Sequence, residues 1–167
     1  MSDRVKIILA VILFISALLL PLVGMAVGWY KWDVQTGLLI MVAVFVVLFL
    51  LAAILLVRVK ELNWLTVSLP YVFGALYTAL PDFIPFSVDD AAATTAGAIF
   101  SFILALRKNE NTPKWIFLPL LLAAIYTLVG GTIPGPIDEV LVDVLALLIA
   151  GVGVNRGTGR ELATEDE

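Results

Sequence analysis

The chain has 167 residues, 62% hydrophobic and 14% charged, with a mean hydropathy of +1.08 and a net charge of -4 at pH 7. Soluble domains run at about 45–50% apolar and about 25% charged, so the composition excludes an ordinary water-soluble domain and points to a multi-pass protein of the cell membrane. Cysteine and histidine are absent, which excludes disulfides, thiolate chemistry and histidine proton relays, and leaves a hard cation on oxygen ligands (Ca, Mg or Na) as the metal chemistry open to it.

The first two elements are apolar runs over residues 7–28 and 38–57. Each meets the roughly 20 residues that a helix needs to cross about 30 Å of hydrocarbon. The first is longer than the core of a signal peptide and closes on Gly28-Trp29-Tyr30, which marks a retained span. Four apolar segments follow at 65–80, 91–106, 115–129 and 140–154. They are short for single spans, and each gains length from the semi-polar turn beside it. The expected fold is an all-α membrane protein of six transmembrane helices. One bundle covers residues 1–156, with hairpins at about 7–58, 65–107 and 115–156, and residues 157–167 form a disordered acidic cytoplasmic tail.

A shift of 49 residues superposes Leu69-Pro70, Ala75, Tyr77-Thr78, Ile84-Pro85 and Asp89 on Leu118-Pro119, Ala124, Tyr126-Thr127, Ile133-Pro134 and Asp138. A second shift brings Leu20-Pro21 and Ala26 into register, puts Asp33 on Asp82, and aligns Arg58, Arg107 and Arg156. The sequence thus predicts three tandem helical hairpins on a 49-residue repeat. Parallel repeats are related by an axis along the membrane normal. Charge supplies an independent check: six spans gather Arg4, Lys6, Arg58, Lys60, Arg107, Lys108, Lys114, Arg156 and Arg160 on one side and leave Lys31 alone on the other. Basic loops are cytoplasmic, so both termini are expected inside. Trp29, Tyr30 and Trp32 would mark the outer interface, and Trp64 and Trp115 the inner one.

Pro21, Pro70 and Pro119 predict a shared bend in the odd-numbered helices, since proline removes a helix hydrogen bond. The Ile-Pro steps at Pro85 and Pro134 end one helix and open the next. Asp89 and Asp138 then stand where a carboxylate accepts free backbone N–H groups at a helix start, and Ser87 with Asp90 suggests an approximate capping box. Beyond capping, Asp90, Thr94, Gly97 and Ser101 recur on one face of the fourth helix, and Glu139, Asp143, Ala146 and Ala150 match them on the sixth. Small stripes of this kind serve close helix packing. Asp143 stands out because it lies one turn inside the sixth helix, flanked by Val142 and Val144, where a carboxylate faces a bundle interior, a partner or a water-filled cavity.

The stretch Tyr77, Pro81-Asp82, Ile84-Pro85 and Asp89-Asp90 resembles the YkvA-like family of domains of unknown function, and Tyr126, Ile133-Pro134 and Asp138-Glu139 echo it. The spacing departs from the family pattern: proline and aspartate are adjacent here, and the stretch before Asp89 is shorter and lacks the usual glycine. The resemblance covers about a fifth of the chain per copy and implies a membrane-associated helical hairpin without a known activity.

Three functions follow from these residues. In the first, Asp90, Glu139 and Asp143, with Asp82, Asp89 and Asp138 around them, line an outer mouth that binds or transports a cation. In the second, the chain is a structural or assembly subunit whose acids cap helices and whose small faces pack against a membrane partner or a second copy. The third is a metal-dependent lipid-modifying enzyme, the weakest because no nucleophile–base pair or HExxH-like motif is present. The partners expected are the bilayer and another membrane protein or a homo-oligomer, with no nucleic acid.

Overall fold

The computed structural model describes residues 1–78, 88–108, 115, 117–129 and 141–150. Among the described residues there are six helices and no strand: α1 (Asp3–Lys31), α2 (Val34–Val57), α3 (Trp64–Tyr77), α4 (Val88–Lys108), α5 (Phe117–Val129) and α6 (Leu141–Ala150). The all-helical expectation holds. α1, α2 and the stretch Asp89–Lys108 of α4 are long and apolar enough to cross a membrane, while α3, α5 and α6 are shorter apolar helices. α4 begins earlier than the apolar pattern suggests, so Asp89 and Asp90 lie in its first turn and Arg107 and Lys108 in its last. Both placements suit the helix dipole, which is why the charged ends join a helix whose apolar run is shorter. The Ile-Pro turns, Asp82, Ser87, Asp138, Glu139 and the acidic tail lie outside the described residues.

The chain divides into two compact units, Met1–Glu61 and Leu62–Glu167. The first unit is the α1–α2 hairpin. Ala10, Phe14, Ala17, Pro21, Met25 and Gly28 are buried on α1, and Gly37, Met41, Phe45, Phe49, Ala52 and Leu56 on α2. These steps of three and four residues form one stripe per helix. Phe14 meets Phe49 edge-on at 5.1 Å between ring centroids, a favoured aromatic geometry. At the tight end, a Cβ on Gly28 would lie 2.7 Å from the Gly37 Cα, so glycine is what lets the two backbones touch.

Both ends of this hairpin are closed by polar bonds. Asp33 caps α2, accepting from Thr36 N–H at 2.7 Å and from the Thr36 hydroxyl at 3.1 Å. At the open end Asp3, in the polar turn ahead of the apolar run, accepts from Lys6 Nζ at 2.6 Å and from the N–H groups of Lys60 and Glu61 at 2.8 and 3.1 Å. Lys6 Nζ also donates to the Arg58 carbonyl at 2.8 Å, a cation meeting the negative end of α2. The Lys6 bond, then those from Glu61 and Lys60, lower the Asp3 carboxyl from 3.8 to about 2. Outward, Ile8, Ile12, Leu19 and Val23 leave about half of their surface exposed. A row of bare aliphatic side chains of this length suits hydrocarbon rather than water.

The second unit packs α3, α4, α5 and α6 around one core of Tyr71, Ala98, Leu120, Ala123, Ala146 and Ala150, with Trp64 and Leu147 against it. Asn63 starts α3, its Oδ1 accepting from Thr66 N–H at 2.7 Å and the Thr66 hydroxyl at 2.8 Å. Pro70 interrupts the α3 hydrogen-bond ladder from within, and the next N–H, that of Tyr71, donates across to Ser101 Oγ of α4 at 3.0 Å. The crossing is close: a Cβ on Gly97 would lie 2.5 Å from the Pro70 carbonyl oxygen, and one on Gly74 2.5 Å from that of Ala93. Buried hydroxyls elsewhere bond back to their own helix, Thr78 to the Ala75 carbonyl at 2.7 Å and Thr127 to that of Ala123 at 3.1 Å. The prolines occupy different places in their helices. Pro21 and Pro70 are interior, whereas Pro119 falls in the first turn of α5, where a missing N–H costs no helical bond.

Candidate functional site

Because α6 turns one stripe toward the core, Asp143, Ala146 and Ala150 are all buried, and Asp143 is only 2% exposed. A carboxylate in that position needs donors. Tyr71 of α3, itself 1% exposed, supplies one: its phenol donates to Asp143 Oδ1 at 2.9 Å. The bond spans 72 residues of sequence and crosses from one helix to another. It is set up by the crossing already described, since Gly97 admits the Pro70–Tyr71 backbone against α4 and Ser101 holds the Tyr71 N–H. A line of polar contacts thus runs from Ser101 on α4 through Tyr71 on α3 to Asp143 on α6.

Beside this pair lies a cavity of about 150 Å³ between α3 and α6, lined by Tyr71, Val72, Ala75, Leu76, Asp143, Val144 and Leu147. Its wall is hydrocarbon except at the Tyr71–Asp143 pair. A smaller void of about 10 Å³ lies toward Trp64 and Phe102, too small for more than one water.

The α4 stripe is buried as well, with Asp90 at 2%, Thr94 at 0% and Ser101 at 5% exposure. Thr94 Oγ1 has no hydrogen-bond partner among the described residues. Asp89 turns away from this stripe and accepts from the Tyr77 phenol at 3.2 Å, which joins the last turn of α3 to the first turn of α4. Of the six acids singled out in the sequence, Asp89, Asp90 and Asp143 are therefore placed on the walls of the second unit, and Asp82, Asp138 and Glu139 lie outside the described residues. Among the described residues no three acidic side chains gather into a group able to hold a metal ion.

Sequence reasoning did not single out Tyr71. A signal was present: a phenol midway along an apolar helix, next to a proline, must find a hydrogen-bond partner when buried, and Asp143 is a carboxylate that must find a donor.

Comparison of the chain with protein-family models, with curated proteins and with solved structures finds no match. The class rests on the fold and site alone: an all-helical membrane protein that keeps a tyrosine-bonded carboxylate within a cluster of four helices.

Proposed function

We propose that the chain is a small multi-pass protein of the cell membrane, six spans on a 49-residue repeat with both termini cytoplasmic, that binds a cation at buried acids and transports it. The observation that carries this reading is Asp143, 2% exposed in the first turn of α6, beside a cavity of about 150 Å³. Ionisable groups at membrane depth are expensive, and they mark ion or substrate pathways when they face a bundle interior or a cavity. Asp90 would lie on the same route, with Glu139 as its partner at the mouth and Asp82, Asp89 and Asp138 forming an acidic rim that draws cations in.

Burial differs between several mates of the 49-residue shift, since Pro70, Tyr77 and Ala124 are buried and Pro119, Tyr126 and Ala75 are half-buried, and agrees at others. Thr94 and Asp143, Gly97 and Ala146, Ser101 and Ala150 are pairs at the 49-residue shift, and every member is buried. So are the pairs Tyr71 and Leu120, Gly74 and Ala123, Thr78 and Thr127.

The test is thermal unfolding of the purified protein against Na⁺, K⁺, Mg²⁺ and Ca²⁺ at constant ionic strength, beside an Asp90→Asn/Asp143→Asn variant. An ion at about 100 times its dissociation constant adds roughly 2.7 kcal/mol. A midpoint shift with one ion, lost in the variant, supports the reading and leads to flux assays. A structural role is the second reading, favoured by the contacts at Gly74 and Gly97, which explain the small stripe by close packing alone. It predicts no ion response.

A further inference from the structure

The two helices of the first unit are long enough to carry their charged end beyond the hydrocarbon. α1 has 29 residues and α2 has 24, about 43 and 36 Å at a rise of about 1.5 Å per residue. The hydrocarbon is about 30 Å thick, and about 40–45 Å with the headgroups. Trp29, Tyr30 and Trp32 are all exposed and suit one interface. From Tyr30 back to Arg4 is about 39 Å of helix, or about 37 Å at a tilt of about 20°. Arg4 thus reaches the depth of the opposite headgroups, and the turn after α2 brings Arg58 and Lys60 to the same end of the hairpin.

That end carries surplus cations on a fixed backbone. Asp3 and Lys6 meet at 2.6 Å, Asp3 also holds the N–H groups of Lys60 and Glu61, and Lys6 covers the Arg58 carbonyl. Val59 is 0% exposed, so it anchors the turn inward while Arg58 and Lys60 on either side of it are exposed. Arg4, Arg58 and Lys60 remain, and among the described residues none of the three has an acidic partner. The exposed Glu61 offsets one of these charges. Cations in excess at headgroup depth match an anion that already lies there. Two guanidinium forks suit the paired oxygens of a phosphate, and Lys60 adds a point charge. We infer that the open end of the α1–α2 hairpin binds the phosphodiester headgroup of an anionic phospholipid on Arg4, Arg58 and Lys60. This is independent of the cation reading of Asp143, which involves helices of the second unit.

The experiment follows thermal unfolding of the full chain in neutral detergent micelles as dioleoylphosphatidylglycerol or the zwitterionic dioleoylphosphatidylcholine is added. Sodium phosphate and NaCl at equal ionic strength are the free-ion arms. Wild type is compared with Arg4→Gln/Arg58→Gln/Lys60→Gln and with Arg107→Gln/Lys108→Gln, which removes cations from the last turn of α4 instead. Two to three surplus charges near a membrane surface are worth about ten- to a hundredfold in affinity. The expected result is a preference of that size for the anionic lipid, kept in the α4 variant and lost in the triple variant. If the triple variant fails to fold, Arg4→Gln and Lys60→Gln singly should each weaken the preference by about fivefold. A preference that survives in the triple variant, or that the α4 variant loses equally, would overturn the inference, because the lipid would then answer to total charge. Equal stabilisation by sodium phosphate would also overturn it and leave a free-anion site. Either failure leaves the cation reading of Asp143 standing.

Discussion

Replacing Gly97 by alanine tests the contact on which the site is built. The new Cβ would stand 2.5 Å from the Pro70 carbonyl oxygen, 2.9 Å from the Tyr71 Cα and 3.1 Å from the Pro70 carbonyl carbon. Ordinary contact begins at 3.4 Å, so the closest approach is 0.9 Å short, and all three atoms are backbone. No side chain can rotate away; α4 and α3 have to separate. Overpacking of this kind costs about 1–3 kcal/mol. Separation also stretches the bond from Tyr71 N–H to Ser101, now 3.0 Å, whose full loss costs about 1 kcal/mol. Alanine returns about 1 kcal/mol through its helix propensity. The net expectation is a loss of about 1–3 kcal/mol. Gly24→Ala is the comparison, because the nearest atom there is the Ile40 Cγ2 at 2.9 Å, a methyl of a β-branched side chain rather than backbone; it should cost less than Gly97→Ala. The assay is reversible unfolding in mixed micelles with increasing dodecyl sulfate, followed by helical circular dichroism. Equal stability of the two alanine variants would refute the close-crossing argument.

Three further outcomes follow from local bonds. Asp33→Ala should lose about 1 kcal/mol by removing the cap of α2, and Asp33→Asn should restore most of it; unfolding midpoints of the two variants check this. The folded Asp3 carboxyl, at about 2, lies below its ordinary 3.8. Its contribution is thus fully present above that ordinary value and disappears as pH falls through about 2. Asp3→Asn should therefore be less stable than wild type by a constant amount near neutral pH, with the gap closing in acid; a gap independent of pH would contradict the bonding at the open end of the hairpin. Thr94→Val should range from neutral to about 1 kcal/mol more stable in thermal unfolding, since it removes a buried hydroxyl without a partner among the described residues. A loss of that size would mean that the hydroxyl is satisfied.

What was legible in the sequence follows from how strongly each signal is tied to local physics. The apolar runs at 7–28 and 38–57 led directly to α1 and α2, because span length is fixed by bilayer thickness. The inward stripe of α4 was legible from its helical spacing, and Asp90, Thr94 and Ser101 are buried as that spacing implies. The true start of α4 was less legible, since Asp89 and Asp90 break the apolar pattern while suiting the dipole at a helix N-terminus. Asn63 and Asp33 as caps lay in plain view as Asn63-x-x-Thr66 and Asp33-x-x-Thr36, patterns overshadowed by the larger acidic clusters. The Tyr71–Asp143 bond could not be read from spacing at all. It depends on α6 packing beside α3, a tertiary choice made by Ala146, Ala150 and Leu147 against Tyr71 and Ala98.

That bond also breaks the symmetry of the 49-residue register proposed for the chain. The register mate of Asp143 is Thr94 and that of Tyr71 is Leu120, so neither member has its like in the sister position. On that proposed register the donor would belong to the second hairpin and the acceptor to the third, the kind of interface between copies where transporters place their sites. A pair that existed only for stability would be a poor choice there, because replacing both partners of a buried hydrogen bond by apolar groups of the same shape can be nearly neutral or stabilising. Tyr71→Phe/Asp143→Leu makes that replacement with the same heavy-atom branching at 143, the larger methyls of leucine facing the adjoining cavity. The double variant should unfold at or above the wild-type midpoint, whereas Tyr71→Phe alone, which takes one donor from a buried carboxylate, should lose about 1–3 kcal/mol. The same double variant should lose every cation response. If instead it unfolds well below the single variant, the pair is part of the scaffold, and the carboxylate is explained by packing rather than by a ligand.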